Sequence, residues 1–352
     1  MVNGWIILDK PSGITSAHAV AKVKRILSSP SPIWGEGRGE GLQGKAFPVN
    51  PLPNPPPGRG RGLKIGHAGT LDPLASGILP LALGEATKTV QFMQDGAKAY
   101  GFTVTWGQER DTDDSEGAVV ASSDKRPSMA EIQAILHKFT GKIQQTPPDY
   151  SAIKMGGKRA YDMARQGEAV QMKGREVEVY ALSPSPLAGE GGVGGLAADS
   201  EPELVATPHP GPPPQGGREQ TSFLCHCGKG TYIRSLARDM GRLLGCYGYI
   251  SMLRRLKVAN FTEAHAISLE QLEEMVHKGE LSFLRPVESA LDDILAWDIS
   301  SDQAIRLRRG QTLVPPAGIP DETVMLARCD GHPVAICRLS LGSVKTVRVF
   351  NL

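Results

Sequence analysis

The segment that decides the reading of this chain runs Gly66-His67-Ala68-Gly69-Thr70-Leu71-Asp72-Pro73-Leu74-Ala75-Ser76-Gly77 and continues Ile78-Leu79-Pro80-Leu81-Ala82-Leu83-Gly84. Asp72 is the one carboxylate in a stretch that is otherwise glycine-rich and apolar. Glycines at 66, 69 and 77 let backbone or a ligand approach closely. Pro73 pushes Asp72 toward extended backbone, so no helix is expected through it. Taken alone, the Asp-Pro pair reads as a turn, because the aspartate side chain can hydrogen-bond nearby backbone. A reactive carboxylate is the sharper reading, and it needs partners from elsewhere in the chain.

With 352 residues, 40% hydrophobic and 22% charged, the chain has the composition of a soluble protein of two or three domains. No apolar run approaches a membrane span. The start, Met1 to Pro11, has no basic n-region and an early acid, so it is not read as a signal peptide. Five cysteines follow no framework spacing, and Cys225-His226-Cys227 is too tight for the usual zinc pattern. Reduced thiols in a cytoplasmic protein are expected. The net charge of +2 excludes little, so local basic clustering carries more weight.

Outward from the central segment, residues 4–8 read as a buried strand. A helix capped by Thr15 or Ser16 follows, with Val20, Val23 and Leu27 on its apolar stripe. Residues 85–94 read as helical. From 98 to 106 the chain alternates, with Tyr100, Phe102, Val104 and Trp106 on one face, the pattern of a half-buried strand. On that evidence Tyr100 is a core residue at a strand end. Residues 107–117 read as an acidic, solvated loop. Ser128 with Glu131, and Ser268 with Gln271, form capping boxes before helices. Strands are expected over 175–182 and from 223 to 227.

Two Pro/Gly-rich segments, 29–62 and 183–219, break this pattern. They resemble each other: Ser-Pro-Ser-Pro-Ile-Trp-Gly-Glu-Gly at 29–37 parallels Ser-Pro-Ser-Pro-Leu-Ala-Gly-Glu-Gly at 183–191. Their composition predicts flexible loops, and their likeness suggests one mobile element inserted in frame twice.

Basic residues cluster in three places. Residues 146–167 interleave Tyr150, Lys154, Lys158, Arg159, Tyr161 and Arg165, which suits a nucleic-acid backbone with some base stacking. After Gly228-Lys229-Gly230-Thr231-Tyr232, a helix capped by Thr231 repeats Arg234, Arg238 and Arg242 every four residues, away from its apolar face. A strand then carries Arg254, Arg255 and Lys257. Each base alone is an ordinary surface charge. Together they predict a basic stripe for a polyanionic partner. From 286 a small β-rich unit begins, with Arg306, Arg308 and Arg309 on a helix and a hairpin turning at Asp330-Gly331.

Set side by side, Gly-Trp-Ile-Ile-Leu-Asp-Lys-Pro (4–11), the 66–77 segment, Leu-Gly-Glu-Ala-Thr-Lys (83–88), Tyr-Ser-Ala-Ile-Lys (150–154), Lys-Gly-Thr-Tyr-Ile-Arg (229–234) and Leu-Arg-Arg-Leu (253–256) resemble the TruB-type tRNA pseudouridine synthases, in family order. The resemblance covers 1–285 apart from the two insertions. The unit at 286–352 resembles, more weakly, the PUA-type RNA-binding domain usual in that family.

The resemblance implies an α+β fold: a mixed, mostly antiparallel sheet flanked by helices, forming a catalytic domain over 1–285 interrupted at 29–62 and 183–219, with a PUA-like domain over 286–352. It implies an isomerase that flips uridine 55 out of the T-loop of tRNA and converts it to pseudouridine. Asp72 matches the catalytic nucleophile, Arg234 the arginine that pairs with it, and Tyr100 the tyrosine that stacks on the target base. His67 matches a histidine that helps hold flipped-out nucleotides, and Tyr232 and Leu253 match substrate contacts. Attack at C1′, attack at C6 and a glycal route all remain open to a single carboxylate. The expected partner is the T-arm of tRNA. A cytoplasmic monomer without metal or cofactor is expected.

Overall fold

The computed structural model describes residues 2–28, 63–151, 153–166, 168, 171–185 and 218–352. Most of both Pro/Gly-rich segments, and with them the comparison of the two copies, lie outside the described residues.

In chain order the first part of the chain contains β1 (Gly4–Lys10), α1 (Ser16–Ser28), β2 (Ile65–His67), β3 (Ser76–Leu83), α2 (Val90–Asp95), β4 (Lys98–Trp106), β5 (Gln108–Arg110) and β6 (Val119–Ser122). It continues with α3 (Met129–Ile135), β7 (Gly141–Gln145), β8 (Lys154–Met155), β9 (Lys158–Arg159), α4 (Ala160–Arg165), β10 (Arg175–Pro184), β11 (Gln220–Cys227), α5 (Ile233–Leu244), β12 (Gly248–Val258), β13 (Phe261–Thr262) and α6 (Leu269–Lys278). The last unit holds β14 (Leu295–Asp298), α7 (Ser301–Arg308), β15 (Val324–Cys329), β16 (His332–Ser340) and β17 (Ser343–Val349).

The main sheet runs β1-β3-β12-β4-β11-β10-β7, with β2 and β13 added at its margins. Its pairs are antiparallel except β12 with β3, where Arg254 faces Ser76 and Arg255 faces Gly77. The mixed, mostly antiparallel α+β architecture is therefore the one the sequence predicts.

Burial of both sheet faces explains the run Trp-Ile-Ile-Leu. Ile6 and Leu8 join Leu79, Leu81 and Leu83 in a core under α1, α5 and α6. Trp5 and Ile7 join Ile78 and Ala82 in a second core on the opposite face. Strand alternation sends successive side chains to opposite sides, so a strand covered on both faces is apolar throughout. The second core also takes in Leu326, Ile336 and Phe350 of the C-terminal unit. Lys88 Nζ donates to the Val349 carbonyl at 2.7 Å, and the Asn351 amide donates to Glu85 at 2.7 Å. The 83–88 motif thus anchors the C-terminal strand.

Several local expectations shift. Both capping boxes form as the sequence predicts. Residues 85–94 split into a 3₁₀ turn over Gly84–Lys88 and the short α2. At the start of the second Pro/Gly-rich segment, Ser183 and Pro184 still pair with Leu224 and Phe223, as the last residues of β10. At the other boundary, Glu219 already accepts from the Trp106 amide. The hairpin turns at Asp330 and Gly331, both with positive φ, as the Asp-Gly pair predicts. All five cysteines are free thiols. Among the described residues no helix is long and apolar enough to cross a membrane.

Gly77 is a glycine of the central segment whose absent side chain the fold demands, as is Gly84 at the segment's end. The φ of Gly77 is +96°, and a Cβ there would stand 2.3 Å from the Arg255 carbonyl oxygen. The close approach serves the backbone of β12 and not a ligand. Gly77→Ala is expected to lower stability by about 1–3 kcal/mol, read as a reduced urea midpoint in equilibrium unfolding.

Candidate active site

Two segments of β3 face different partners along one edge. Leu81 to Leu83 pair with β2, whereas Ser76 and Gly77 pair with β12. The loop 68–75 leaves β2 and returns into β3 at this handover, carrying Asp72 out of the sheet. It is held from below by residues to which the sequence reading gave no part in the site. Ser16 Oγ accepts from the Leu71 amide at 2.8 Å and donates to the Leu71 carbonyl at 3.0 Å. Ser12 Oγ donates to the Leu74 carbonyl, and the Gly13 amide to the Pro73 carbonyl, both at 2.8 Å. Lys10 is fully buried, and its ammonium donates to the carbonyls of Pro11, Ile14 and Pro73. Ser16 therefore works on the loop, and the helix capping falls to Thr15, whose Oγ1 accepts from the His18 amide.

Asp72 lies on the wall of a cleft of about 630 Å³, with its side chain one-third exposed. Arg234, at the start of α5, sets its Nε 2.9 Å from Asp72 Oδ2. That N–H is not aligned on the oxygen, so the contact is a charge pairing and not an aligned hydrogen bond. The other guanidinium nitrogens are taken. Nη1 donates to the Thr112 carbonyl at 2.8 Å and lies 3.4 Å from Asp114, and Nη2 donates to the Tyr150 carbonyl at 2.9 Å. Arg234 thus touches Asp72 with one nitrogen only, while the rest of the guanidinium is locked in the protein.

The acidic loop is the source of that lock, which corrects two expectations. The arginines of α5 do not form an exposed stripe. Arg238 is 7% exposed, pairs with Asp113 at 2.9 Å and donates to the Thr146 carbonyl. Arg242 holds Glu109 through two bonds of 2.9 and 2.6 Å. Residues 107–117 are correspondingly not a solvated loop, since Glu109, Asp113 and Asp114 are buried. Four-residue spacing aligns three cations on one helix face, and three acids across from them neutralise that face. Burial holds the Asp113 carboxyl up at about 6 despite the Arg238 and Arg234 charges. Arg254 is also paired, with Asp9 and Glu263.

The start of α5 lacks the Thr231 cap: Thr231 Oγ1 donates to the Gly228 carbonyl, and Tyr232 is the N-cap. Buried Gln145 fixes Tyr232 instead, accepting from its amide at 2.7 Å and donating to its carbonyl at 3.0 Å. The guanidinium of Arg175 lies 5.0 Å from the centre of the Tyr232 ring.

Tyr100, Tyr232, Arg234 and Leu253 line the cleft together with Asp72. His67 does not; it sits on β2 opposite Leu81, five residues ahead of Asp72. Among the described residues lining the cleft, Asp72 is the one carboxylate, against the cations Lys98, Arg175, Arg234 and Arg255. Burial raises the Tyr100 phenol to about 12, so the hydroxyl is protonated at neutral pH. Burial lowers Lys10 and Lys98 to about 8. The signal for Lys10 was present as a charged residue closing an apolar strand. For Gln145 the sequence carries no comparable signal.

The arrangement suits nucleophilic or proton-transfer chemistry by one carboxylate on a substrate that carries negative charge. Comparison with known proteins agrees. Residues 60–189 match the family model "TruB family pseudouridylate synthase (N terminal domain)", and residues 234–292 match "tRNA pseudouridylate synthase B C-terminal domain". The chain belongs to the TruB family of pseudouridine synthases. A relative from Nitrobacter winogradskyi named tRNA pseudouridine synthase B is 43% identical over 359 residues, covering 100% of this chain and 83% of its own length. One of the same name from a Caulobacter species is 38% identical over 361 residues, covering 100% and 97%. Among solved structures, an H/ACA RNP bound to a substrate RNA containing 2′-deoxyuridine aligns with a TM-score of 0.62 at 22% identity, over 99% of this chain and 85% of that one. A Cbf5-Nop10-Gar1 complex aligns at 0.61 and 22%, over 99% and 83%. At such identity these two structures speak to the fold.

Lys10 gives a pH test. Below about pH 8 the folded protein holds Lys10 charged, with three N–H donors for three carbonyls. Above it the neutral amine has two donors, and the Asp72 loop loses a clamp. Single-turnover activity should therefore fall as pH rises through about 8. Lys10→Arg, which stays charged, should move that limb upward. Lys98→Arg is the control and should leave the limb in place.

Proposed function

We propose that this chain isomerises uridine 55 in the T-loop of tRNA to pseudouridine, acting as a cytoplasmic monomer on the T-arm. Asp72 is the nucleophile, Arg234 orients it, and Tyr100 stacks on the flipped base. The observation that carries the reading is the pairing of Asp72 with the buried Arg234 at a cleft in a member of this family.

The physical argument runs through the substrate. A uridine in a folded loop is stacked, and taking it out costs about a few kcal/mol. Stacking on an aromatic ring returns about 1–3 kcal/mol, the part given to Tyr100. A cleft of about 630 Å³ has room for a nucleoside. The net positive charge of its lining favours the phosphates that flank the flipped nucleotide. The reaction breaks the C1′–N1 bond, turns the uracil within the cleft and joins C5 to C1′. Asp72 supplies the carboxylate, and the proton on C5 leaves last. A glycosidase reading would call for a second carboxylate in the cleft, and among the described residues lining it there is none. His67, Tyr232 and Leu253 are assigned to holding the displaced nucleotides.

Tritium release from C5-labelled uridine in tRNA tests this reading. Asp72→Asn should bind tRNA within about threefold of the parent and lose isomerisation by about a thousandfold or more. Turnover near the parent level would remove Asp72 as nucleophile. Arg234→Lys should also be severely slowed, because an ammonium cannot hold Thr112, Tyr150 and Asp72 together. Tyr100→Phe should keep binding and slow release by about 10²-fold, through loss of the hydroxyl in proton transfer. Binding without any release by the parent protein would favour a tRNA-folding role.

A further inference from the structure

Arg255 stands in a sequence of exposed-looking bases, yet it is 2% exposed and among the largest fully buried side chains. Its neighbour Arg254 is neutralised by Asp9 and Glu263. Arg255 is held differently, by backbone carbonyls. Nε donates to the Ile78 carbonyl at 2.7 Å, Nη2 to Gly69 at 3.2 Å and Nη1 to Thr70 at 3.5 Å. These three acceptors bracket Asp72, two before it in the loop and one after it in β3. Strand register places Arg255 directly across from Gly77 on one side and Tyr100 on the other. Cross-strand partners share a sheet face, and Arg255 and Tyr100 both line the cleft. Gly77 is what lets the Arg255 backbone come close enough.

We propose that Arg255 is a positioning residue for the isomerisation, a single buried guanidinium that ties the loop carrying Asp72 to the strand carrying Tyr100. The proposal rests on the reading of Asp72 and Tyr100 given above. Asp72 and Tyr100 arrive from separate segments, and a nucleophile and a base-stacking ring must keep one spacing throughout the reaction. Arg234 aims the carboxylate from the side of α5. Arg255 sets where the loop itself stands relative to β4. A buried cation without a carboxylate partner among the described residues is costly, and the carbonyls of Ile78, Gly69 and Thr70 accommodate it here. The Arg255 charge across the strands from the Tyr100 phenol favours the phenolate and opposes the effect of burial. The other groups acting on the phenol are the Cys225 and Cys227 thiols, which push it the opposite way. Lys98 stands two residues along the same strand.

Two measurements on the full chain test this. The first needs no tRNA and so stands apart from the functional reading. Tyrosines are replaced by 3-fluorotyrosine, whose phenol ionises at lower pH, and the position-100 ¹⁹F signal is assigned by its absence in Tyr100→Phe. In Arg255→Gln the ionisation of that signal should move up by about one pH unit. An unmoved titration overturns the proposal. The second is a mutant cycle on single-turnover tritium release. Arg255→Gln should slow release by about tenfold or more with tRNA affinity changed less than about threefold. The same substitution in the Tyr100→Phe background should cost clearly less than it does alone. Full additivity, or a loss confined to tRNA affinity, overturns the proposal. If Arg255→Gln does not fold, Arg255→Lys carries both tests, since it keeps the charge and loses the fork. It should leave the fluorotyrosine titration near that of the parent while slowing release, and a parent-like release rate would overturn the assignment.

Discussion

One guanidinium, that of Arg234, holds the centre of this structure. It is almost fully buried and sits among four groups from three separate parts of the chain: Asp72, Thr112 with Asp114, and Tyr150. A buried cation must be satisfied on every side, and removing one partner leaves an uncompensated charge that costs about 3–5 kcal/mol. That requirement drew an acidic loop against α5 and turned Arg234 and Arg238 inward. The exposed carboxylate oxygen of Asp72 is what this network leaves facing the cleft.

The geometry separates two kinds of work. Arg234 touches the carboxylate, and Arg238 and Arg242 lock the helix that carries Arg234. Lys10, Ser12, Ser16 and Arg255 touch only the backbone of the Asp72 loop. A loop outside the sheet ladder would otherwise sample many conformations, and its ordering entropy has to be offset by such bonds. Each net hydrogen bond contributes about 0.5–1.5 kcal/mol, so several are needed to hold one carboxylate within the tolerance that chemistry demands. The C-terminal unit adds its own constraint, because Phe350, Leu326 and Ile336 complete the apolar core on the face of β1 and β3 away from α1.

Much of this was legible in the order of residues. The alternation of 98–106, both capping boxes and the Asp-Gly hairpin are local matters of strand period and backbone preference, and these need no distant partner. The motif set also led to Asp72, Tyr100, Arg234, Tyr232 and Leu253, which the fold brings to one cleft. The same reading left His67 with them, whereas β2 carries it along the sheet edge outside the cleft lining.

The sequence by itself determined which residues form strands and helices and which motif carries the lone carboxylate, since those follow from side-chain period and backbone sterics along a few neighbouring positions. Only the tertiary structure decided where the charges point. Arg234, Arg238 and Arg255 look like surface bases in one dimension, because exposed and buried cations have the same spacing on a helix or strand. Their burial depends on acids and carbonyls that lie up to 186 positions away. The partner of a buried charge is chosen by folding: the resemblance offered Asp72 as a nucleophile paired with Arg234, and the fold is what sets the guanidinium 2.9 Å from that carboxylate.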